Sequence, residues 1–138
     1  MRIYVDSSAL IKRAIEEAES DALDEALEQH VNVADILVAS SLAWVEVTRA
    51  IRARAGTETD VSGVIETALS GIAERAITAD VVSLARRIDP ESLRTLDAIH
   101  LATAVLLDAD LIITYDDRLD AAARYNGLAV AKPVSSPE

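Results

Sequence analysis

The chain has 138 residues, with 24 acidic against 13 basic side chains, a formal net charge of −11 and a pI near 4.5. That length suits one domain and excludes a multidomain machine; 51% hydrophobic and 27% charged residues exclude a disordered or fibrous chain. The acidic balance excludes gripping nucleic acid through a broad basic surface, and the absence of cysteine excludes disulfides, zinc–thiolate sites and thiol nucleophiles.

Any metal must therefore be bound by oxygen or imidazole. With one Trp, three Tyr and no Phe, the core must rest on aliphatic packing. The start carries an acid already at Asp6, which leaves no apolar leader segment, and no run approaches the roughly 20 apolar residues of a membrane span. A cytoplasmic protein without a membrane segment is the expectation.

In chain order, Arg2–Val5 reads as a short strand that runs through the cap-type residues Asp6-Ser7-Ser8 into a helix over Ala9–Ala18. Asp21–Gln29 has helical apolar spacing, and Val31–Ser40 returns to an extended pattern around Ile36-Leu37-Val38. Ser40 or Ser41 can cap a helix to about Arg54, stopped by Gly56; Asp60–Ser70 is a weaker helix containing Gly63 and closed by Gly71. Ile72–Ile77 reads as a short edge strand, and Thr78 caps a helix through Arg87 before the break at Asp89-Pro90. Thr95 or Asp97 opens a strongly apolar helix to about Leu107; Leu111–Thr114 is the clearest buried strand. A helix over Arg118–Tyr125, stopped by Gly127, and a strand over Leu128–Ala131 complete the pattern, leaving 133–138 as a frayed tail. Alternating strands and helices predict a mostly parallel sheet covered on both faces.

In such sheets ligands bind beyond the carboxyl ends of the strands, so acids that directly follow strands are the first candidates. Asp6 follows the first strand, and Asp116, with Asp117 beside it, follows Leu111–Thr114. Each also has an ordinary explanation as a helix N-cap. Glu46 sits in mid-helix among Leu42, Ala43 and Ala50, where a pair with Arg49 would account for it. Asp97 opens the apolar helix and could cap it. His100, one turn later, reads as a hydrogen-bonded packing residue, since no serine or cysteine nucleophile accompanies it in a recognisable motif. Two carboxylates about 4 Å apart repel by roughly 4 kcal/mol at an effective dielectric of 20, so four converging acids would require a divalent cation or bound protons.

The opening Ile3-Tyr4-Val5-Asp6-Ser7-Ser8-Ala9-Leu10, the mid-helix Glu46, the run Leu96-Asp97-Ala98-Ile99-His100-Leu101-Ala102-Thr103-Ala104 and the close Ile113-Thr114-Tyr115-Asp116-Asp117-Arg118-Leu119 together resemble the PIN-domain ribonucleases, specifically VapC toxins of VapBC toxin–antitoxin systems. The resemblance implies a three-layer α/β/α sandwich with a small, mostly parallel central sheet over residues 1–132. It implies that Asp6, Glu46, Asp97 and Asp116 converge and bind Mg²⁺ or Mn²⁺, with Asp6, Asp97 and Asp116 on the principal ion and Glu46 completing the site, positioning water or serving a second ion. Ser7 and Thr114 match the family's supporting hydroxyls, and Asp117 is either a helix cap or an auxiliary ligand. The implied activity is metal-assisted endoribonucleolytic hydrolysis of RNA, with Arg49 and Arg52 as candidate RNA contacts because they share Glu46's helix. The implied partners are a VapB antitoxin, lying along helices near Ala9–Leu27 and Leu42–Arg54, and a second copy of the chain in a homodimer, giving a toxin–antitoxin hetero-oligomer.

Two other readings compete. A Mg²⁺-dependent phosphoryl-transfer domain of the haloacid dehalogenase or receiver type needs a second acid where Ser8 stands, or a late lysine that is missing. A non-catalytic interaction domain would treat all four acids as caps and surface charge.

Overall fold

The structure, a computed structural model, describes residues 1–56 and 60–135. Its elements are β1 (Arg2–Val5), α1 (Ser7–Ala14), α2 (Ser20–Asn32), β2 (Ile36–Ser40), α3 (Ser41–Ala55), α4 (Ser62–Leu69), β3 (Ala73–Arg75), α5 (Ala79–Ala85), α6 (Thr95–Leu106), β4 (Leu111–Ile113), α7 (Asp117–Tyr125) and β5 (Val130–Ala131). The strands form one sheet in the order β3-β2-β1-β4-β5, and all four pairings are parallel. The chain winds outward from β1 in one direction through β2 and β3, then in the other through β4 and β5. The β1/β4 boundary is therefore the point where connections diverge, the place at which an open α/β sheet leaves a crevice beyond its strand ends.

Consecutive residues of the central strands point to opposite faces, and both faces are apolar, as a sheet covered on both sides requires. Ile3, Val5, Leu37, Ala39 and Ile113 pack against Leu10, Leu23, Val47 and Ile51 from α1, α2 and α3. Tyr4, Val38 and Ile112 pack on the other side against Leu101 and Ala104 of α6 and Leu119 and Ala122 of α7. The result is the expected three-layer sandwich.

Several boundaries differ from the sequence reading for identifiable reasons. Helix α1 begins at Ser7 because Asp6 accepts the Ala9 N–H at 3.2 Å and so is itself the cap. It ends at Ala14, four residues early: the Ser20 hydroxyl accepts the Glu17 N–H and donates to the Lys12 carbonyl, closing a turn that starts α2. Helix α2 continues to Asn32, and Ala34 at φ 63° turns the chain into β2, so the extended stretch starts at Ile36 rather than Val31. Ser40 and Thr78 cap α3 and α5 through their hydroxyls, and Gly56, at φ 70°, ends α3 in a conformation suited to glycine. Of the tail expected at 133–138, residues 136–138 lie outside the described residues; the Pro133 carbonyl accepts the Tyr115 hydroxyl at 2.6 Å. No helix among the described residues is long and apolar enough to cross a membrane.

Ile113 on β4 is fully buried beside the crevice. Ile113→Ala is expected to lower unfolding free energy by about 2–5 kcal/mol in urea titrations, through lost burial and the cavity left behind.

Candidate active site

Asp6 leaves the end of β1 and is 4% exposed. A carboxylate removed from water in this way needs hydrogen-bond donors, and the neighbouring sequence supplies them. Its Oδ1 accepts the Ser8 hydroxyl at 2.7 Å and the Ala9 N–H, and its Oδ2 accepts the Thr114 hydroxyl at 2.9 Å. Each of those hydroxyls also accepts an amide from the turn after β4: Ser8 Oγ takes the Tyr115 N–H at 2.9 Å, and Thr114 Oγ1 takes the Asp116 N–H at 3.0 Å. The β1–α1 and β4–α7 corners are thereby interlocked, which sets Asp116 opposite Asp6. Asp116 caps α7 through Oδ1, which accepts the Arg118 and Leu119 N–H groups at 2.9 and 3.0 Å.

Glu46 projects from α3 toward α1 and α6, with Oε1 accepting the Ser7 hydroxyl at 2.7 Å and lying 2.6 Å from His100 Nε2. The alternative pairing with Arg49 is not formed among the described residues; His100 is the ionisable partner of Glu46. Asp97 lies in the first turn of α6, whose N-cap is Arg94, and makes no cap bond. The capping explanation of Asp97 is therefore set aside: the helix starts two residues earlier, at Thr95.

All four carboxylates line one open cleft of about 420 Å³, together with Ser7, Ser8, Ile11, Ala50 and His100. Arg49, Arg52 and Asp117 are not among the cleft residues. Both arginines are exposed on α3, and Asp117 points outward to Lys132 at 3.1 Å with 87% of its side chain exposed. Of the two candidates for the α7 cap, Asp116 takes the role and Asp117 follows as the first helical residue.

Burial and mutual repulsion raise two of the cleft acids, while hydrogen-bond donors lower a third. Burial pushes the Asp6 carboxyl above its ordinary pKa, against the hydrogen bonds it accepts from Ser8, Thr114 and the Ala9 N–H. Burial also raises Asp97, assisted by the negative charges of Asp116 and Asp6, while Arg94 acts the other way. Glu46 falls below the carboxylate range: burial would raise it, but the hydrogen bonds from His100 and the Ser7 hydroxyl outweigh burial. An all-oxygen set of four carboxylates fits a hard divalent cation. Among the described residues no three such groups are already gathered as a closed ligand set. This accords with their present bonds, since Asp6 has both oxygens engaged and Glu46 and Asp116 have one each.

The sequence reading missed three residues of this arrangement. Ser8 supports Asp6, and Ser7, named as a supporting hydroxyl, donates to Glu46. His100 is buried and hydrogen-bonded as expected, but it belongs to the cleft wall, and Tyr4 lies behind it at 2.6 Å. A hydroxyl two positions beyond a strand-end aspartate was the available signal for Ser8; nothing in the linear pattern marks Tyr4.

A family model described as the PIN domain matches residues 3–125. Ribonuclease VapC46 of Mycobacterium tuberculosis is 42% identical over 133 residues, covering 95% of this chain and 97% of the relative. Ribonuclease VapC47 of the same species is 38% identical over 136 residues, covering 95% and 96%. Among solved structures, VapBC2 from Rickettsia felis, bound to a DNA fragment from its promoter, superposes with a TM-score of 0.76 over 95% of this chain and 98% of that one, at 12% identity. Mycobacterium tuberculosis VapC20, a sarcin–ricin loop cleaving toxin, gives 0.69 over 87% and 94%, at 16% identity. The chain belongs to the PIN-domain family. Within it, the chain falls among the VapC ribonucleases.

Because Asp97 carries its charge at an energetic cost and makes no side-chain hydrogen bond among the described residues, Asp97→Asn is expected to raise the melting temperature of chelator-treated protein by a few degrees, the scale of about 1 kcal/mol in a domain of this size. The sign follows from the raised pKa: the charge penalises the folded state at neutral pH and is relieved as pH falls through that value. Thermal melts of the two proteins should therefore differ most at neutral pH and converge under acid conditions.

Proposed function

We propose that this chain is the toxin of a VapBC-type pair, a divalent-metal-dependent endoribonuclease that hydrolyses RNA phosphodiester bonds and is neutralised by a cognate VapB-type antitoxin. The observation that carries the reading is the convergence of Asp6, Glu46, Asp97 and Asp116, from four separate elements, on one cleft at the point where the sheet's connections diverge. PIN-domain ribonucleases are metal-dependent in general, and the oxygen-only donor set favours Mg²⁺ or Mn²⁺ here. Asp6, Asp97 and Asp116 would hold the principal ion, with Glu46 completing the site or orienting the attacking water. Such an ion supplies charge neutralisation at the phosphate and acidifies water.

The chain's own residues do the positioning. Thr114 and Ser8 keep Asp6 and the Asp116 turn in fixed relation, and Ser7 holds one oxygen of Glu46. In this reading hydrolysis is direct: water attacks phosphorus, a P–O ester bond of the RNA breaks and the departing sugar oxygen takes a proton, while the Ser7 and Ser8 hydroxyls serve as donors that hold Glu46 and Asp6. That commitment also disfavours the dehalogenase-like alternative, which needs an acid at position 8. Arg49 and Arg52, exposed on the helix that bears Glu46, are the proposed RNA contacts in a protein otherwise strongly acidic.

The VapC ribonuclease names of the relatives and the VapBC assembly of Rickettsia felis support an antitoxin partner and an RNA substrate. A homodimer and a toxin–antitoxin hetero-oligomer acting in the cytoplasm belong to the same proposal.

The test is cleavage of total cellular RNA by purified protein with Mg²⁺ or Mn²⁺, with cut sites mapped by sequencing. Cuts at a few defined positions are expected, and Asp97→Asn or chelation should reduce the rate at least about 100-fold, equivalent to roughly 3 kcal/mol of transition-state stabilisation. Undiminished cleavage in either control would sink the assignment.

A further inference from the structure

Behind the cleft runs a row of hydrogen bonds whose donors and acceptors can be assigned one by one. The Ser40 N–H at the end of β2 donates to the Tyr4 hydroxyl oxygen at 3.1 Å. Tyr4 Oη lies 2.6 Å from His100 Nδ1, and His100 Nε2 lies 2.6 Å from Glu46 Oε1. Tyr4 is fully buried and His100 is 2% exposed, and their rings meet edge to face with centroids 5.9 Å apart. No buried side-chain nitrogen or oxygen among the described residues lacks a hydrogen-bond partner.

The direction of the row follows from the bookkeeping of protons. The Ser40 N–H can only donate, so the Tyr4 oxygen accepts it. The phenol proton then needs an acceptor, and among the described residues His100 Nδ1, at 2.6 Å, is the acceptor placed for a hydrogen bond with it. An imidazole that accepts at Nδ1 carries its proton at Nε2, which points it at Glu46. Ser7 donates to the same Oε1 at 2.7 Å. Two donors thus converge on Oε1, and Glu46 Oε2 accepts no hydrogen bond among the described residues.

We infer that His100, oriented by Tyr4, is a positioning residue for Glu46: it ties down Oε1 and leaves Oε2 as the single oxygen that Glu46 presents to a cation or water in the cleft. The inference rests on the proposed metal-dependent reading of the site and adds to it two residues from the opposite side of the sheet. His100 touches neither substrate nor reacting atoms in this role. It acts through Glu46, much as a carboxylate or carbonyl behind a metal-ligating histidine fixes that ligand's orientation. The Tyr4 hydroxyl, at the carboxyl ends of β1 and β2, makes the orientation a property of the sheet rather than of a flexible side chain.

The test measures Mn²⁺ affinity directly, by the electron paramagnetic resonance of free Mn²⁺, alongside circular dichroism melts, on the full chain and six variants. His100→Gln places an amide N–H near the position of Nε2 and should keep Mn²⁺ affinity within about threefold of the parent. His100→Met removes the donor and should weaken Mn²⁺ binding by about 10–100-fold, the range typical of lost ligand-orienting partners. Combining His100→Met with Glu46→Gln should add little beyond the larger single effect, because one residue works through the other.

A folded His100→Met protein that binds Mn²⁺ like the parent, or fully additive losses with Glu46→Gln, would overturn the role. If His100→Met does not fold, Tyr4→Phe decides: it keeps the ring and removes the proton that sets His100, so unchanged Mn²⁺ affinity in that variant overturns the inference and a weakened one supports it. A long-range ¹H–¹⁵N spectrum of the unaltered protein provides a further check, since it should show His100 protonated at Nε2 alone; a proton at Nδ1 contradicts the row. Asp97→Asn separates the two levels. If the parent binds Mn²⁺ no better than Asp97→Asn, the metal-dependent reading itself fails and the positioning role falls with it; if only the His100 and Tyr4 variants match the parent, the role fails and the site stands.

Discussion

A single buried carboxylate organises this molecule. Asp6 sits where β1 ends, between the two halves of the sheet, and is almost wholly removed from water. Leaving an ionised group there uncompensated would be severely destabilising, so its surroundings are built from donors: the first amide of α1 that can reach it and two hydroxyls from different chain segments. Because those hydroxyls also accept the amides of Tyr115 and Asp116, satisfying Asp6 closes the corner after β4. The fold and the site are thus one construction, and the second strand-end acid is placed by the group that stabilises the first.

The donors do not remove the charge problem; they make it local. Burial still holds Asp6 and Asp97 above their ordinary pKa values, and Asp116 adds to the repulsion felt by Asp97. In the proposed cation-dependent hydrolase, the electrostatic cost of gathering these acids in one cleft becomes binding free energy when a divalent ion enters. In the proposed reading, the excess of acid over base elsewhere on the chain leaves substrate phosphate to be met by a cation and a few exposed arginines rather than by a basic surface.

Glu46 belongs to a different part of this arrangement. It comes from a helix that does not follow a strand at the divergence point, and its orientation is referred back to the sheet through His100 and Tyr4. Tyr4 faces the α6–α7 side while its neighbours Ile3 and Val5 face the other layer. The hydroxyl at its tip emerges at the same edge as Asp6. A tyrosine in a core nearly devoid of aromatics therefore has a polar function as well as a packing one.

Much of this was legible in the linear chain. The alternation of β-branched runs with capped helices defined a covered parallel sheet, because period-2 burial and helix capping are local properties of a few adjacent residues. Asp6 and Asp116 were identifiable because acids directly after strands must lie at the carboxyl edge, and the combined spacing with Glu46 and Asp97 carried the family resemblance. Other assignments turned on contacts between segments far apart in sequence. Whether Asp97 caps α6 or faces the cleft depended on Arg94 starting the helix, and whether Glu46 pairs with Arg49 or His100 depended on how α3 packs against α6. Which carboxylate Ser7 meets, and the joining of Tyr4 to His100 across 96 residues, depended on the same long-range packing. The sequence by itself determined the elements, their order and which acids stand at strand ends, since these follow from short-range sterics and periodicity. Only the tertiary structure decided which donor meets which carboxylate, because a hydrogen bond is set by distance and direction between groups that the chain brings together only when it folds.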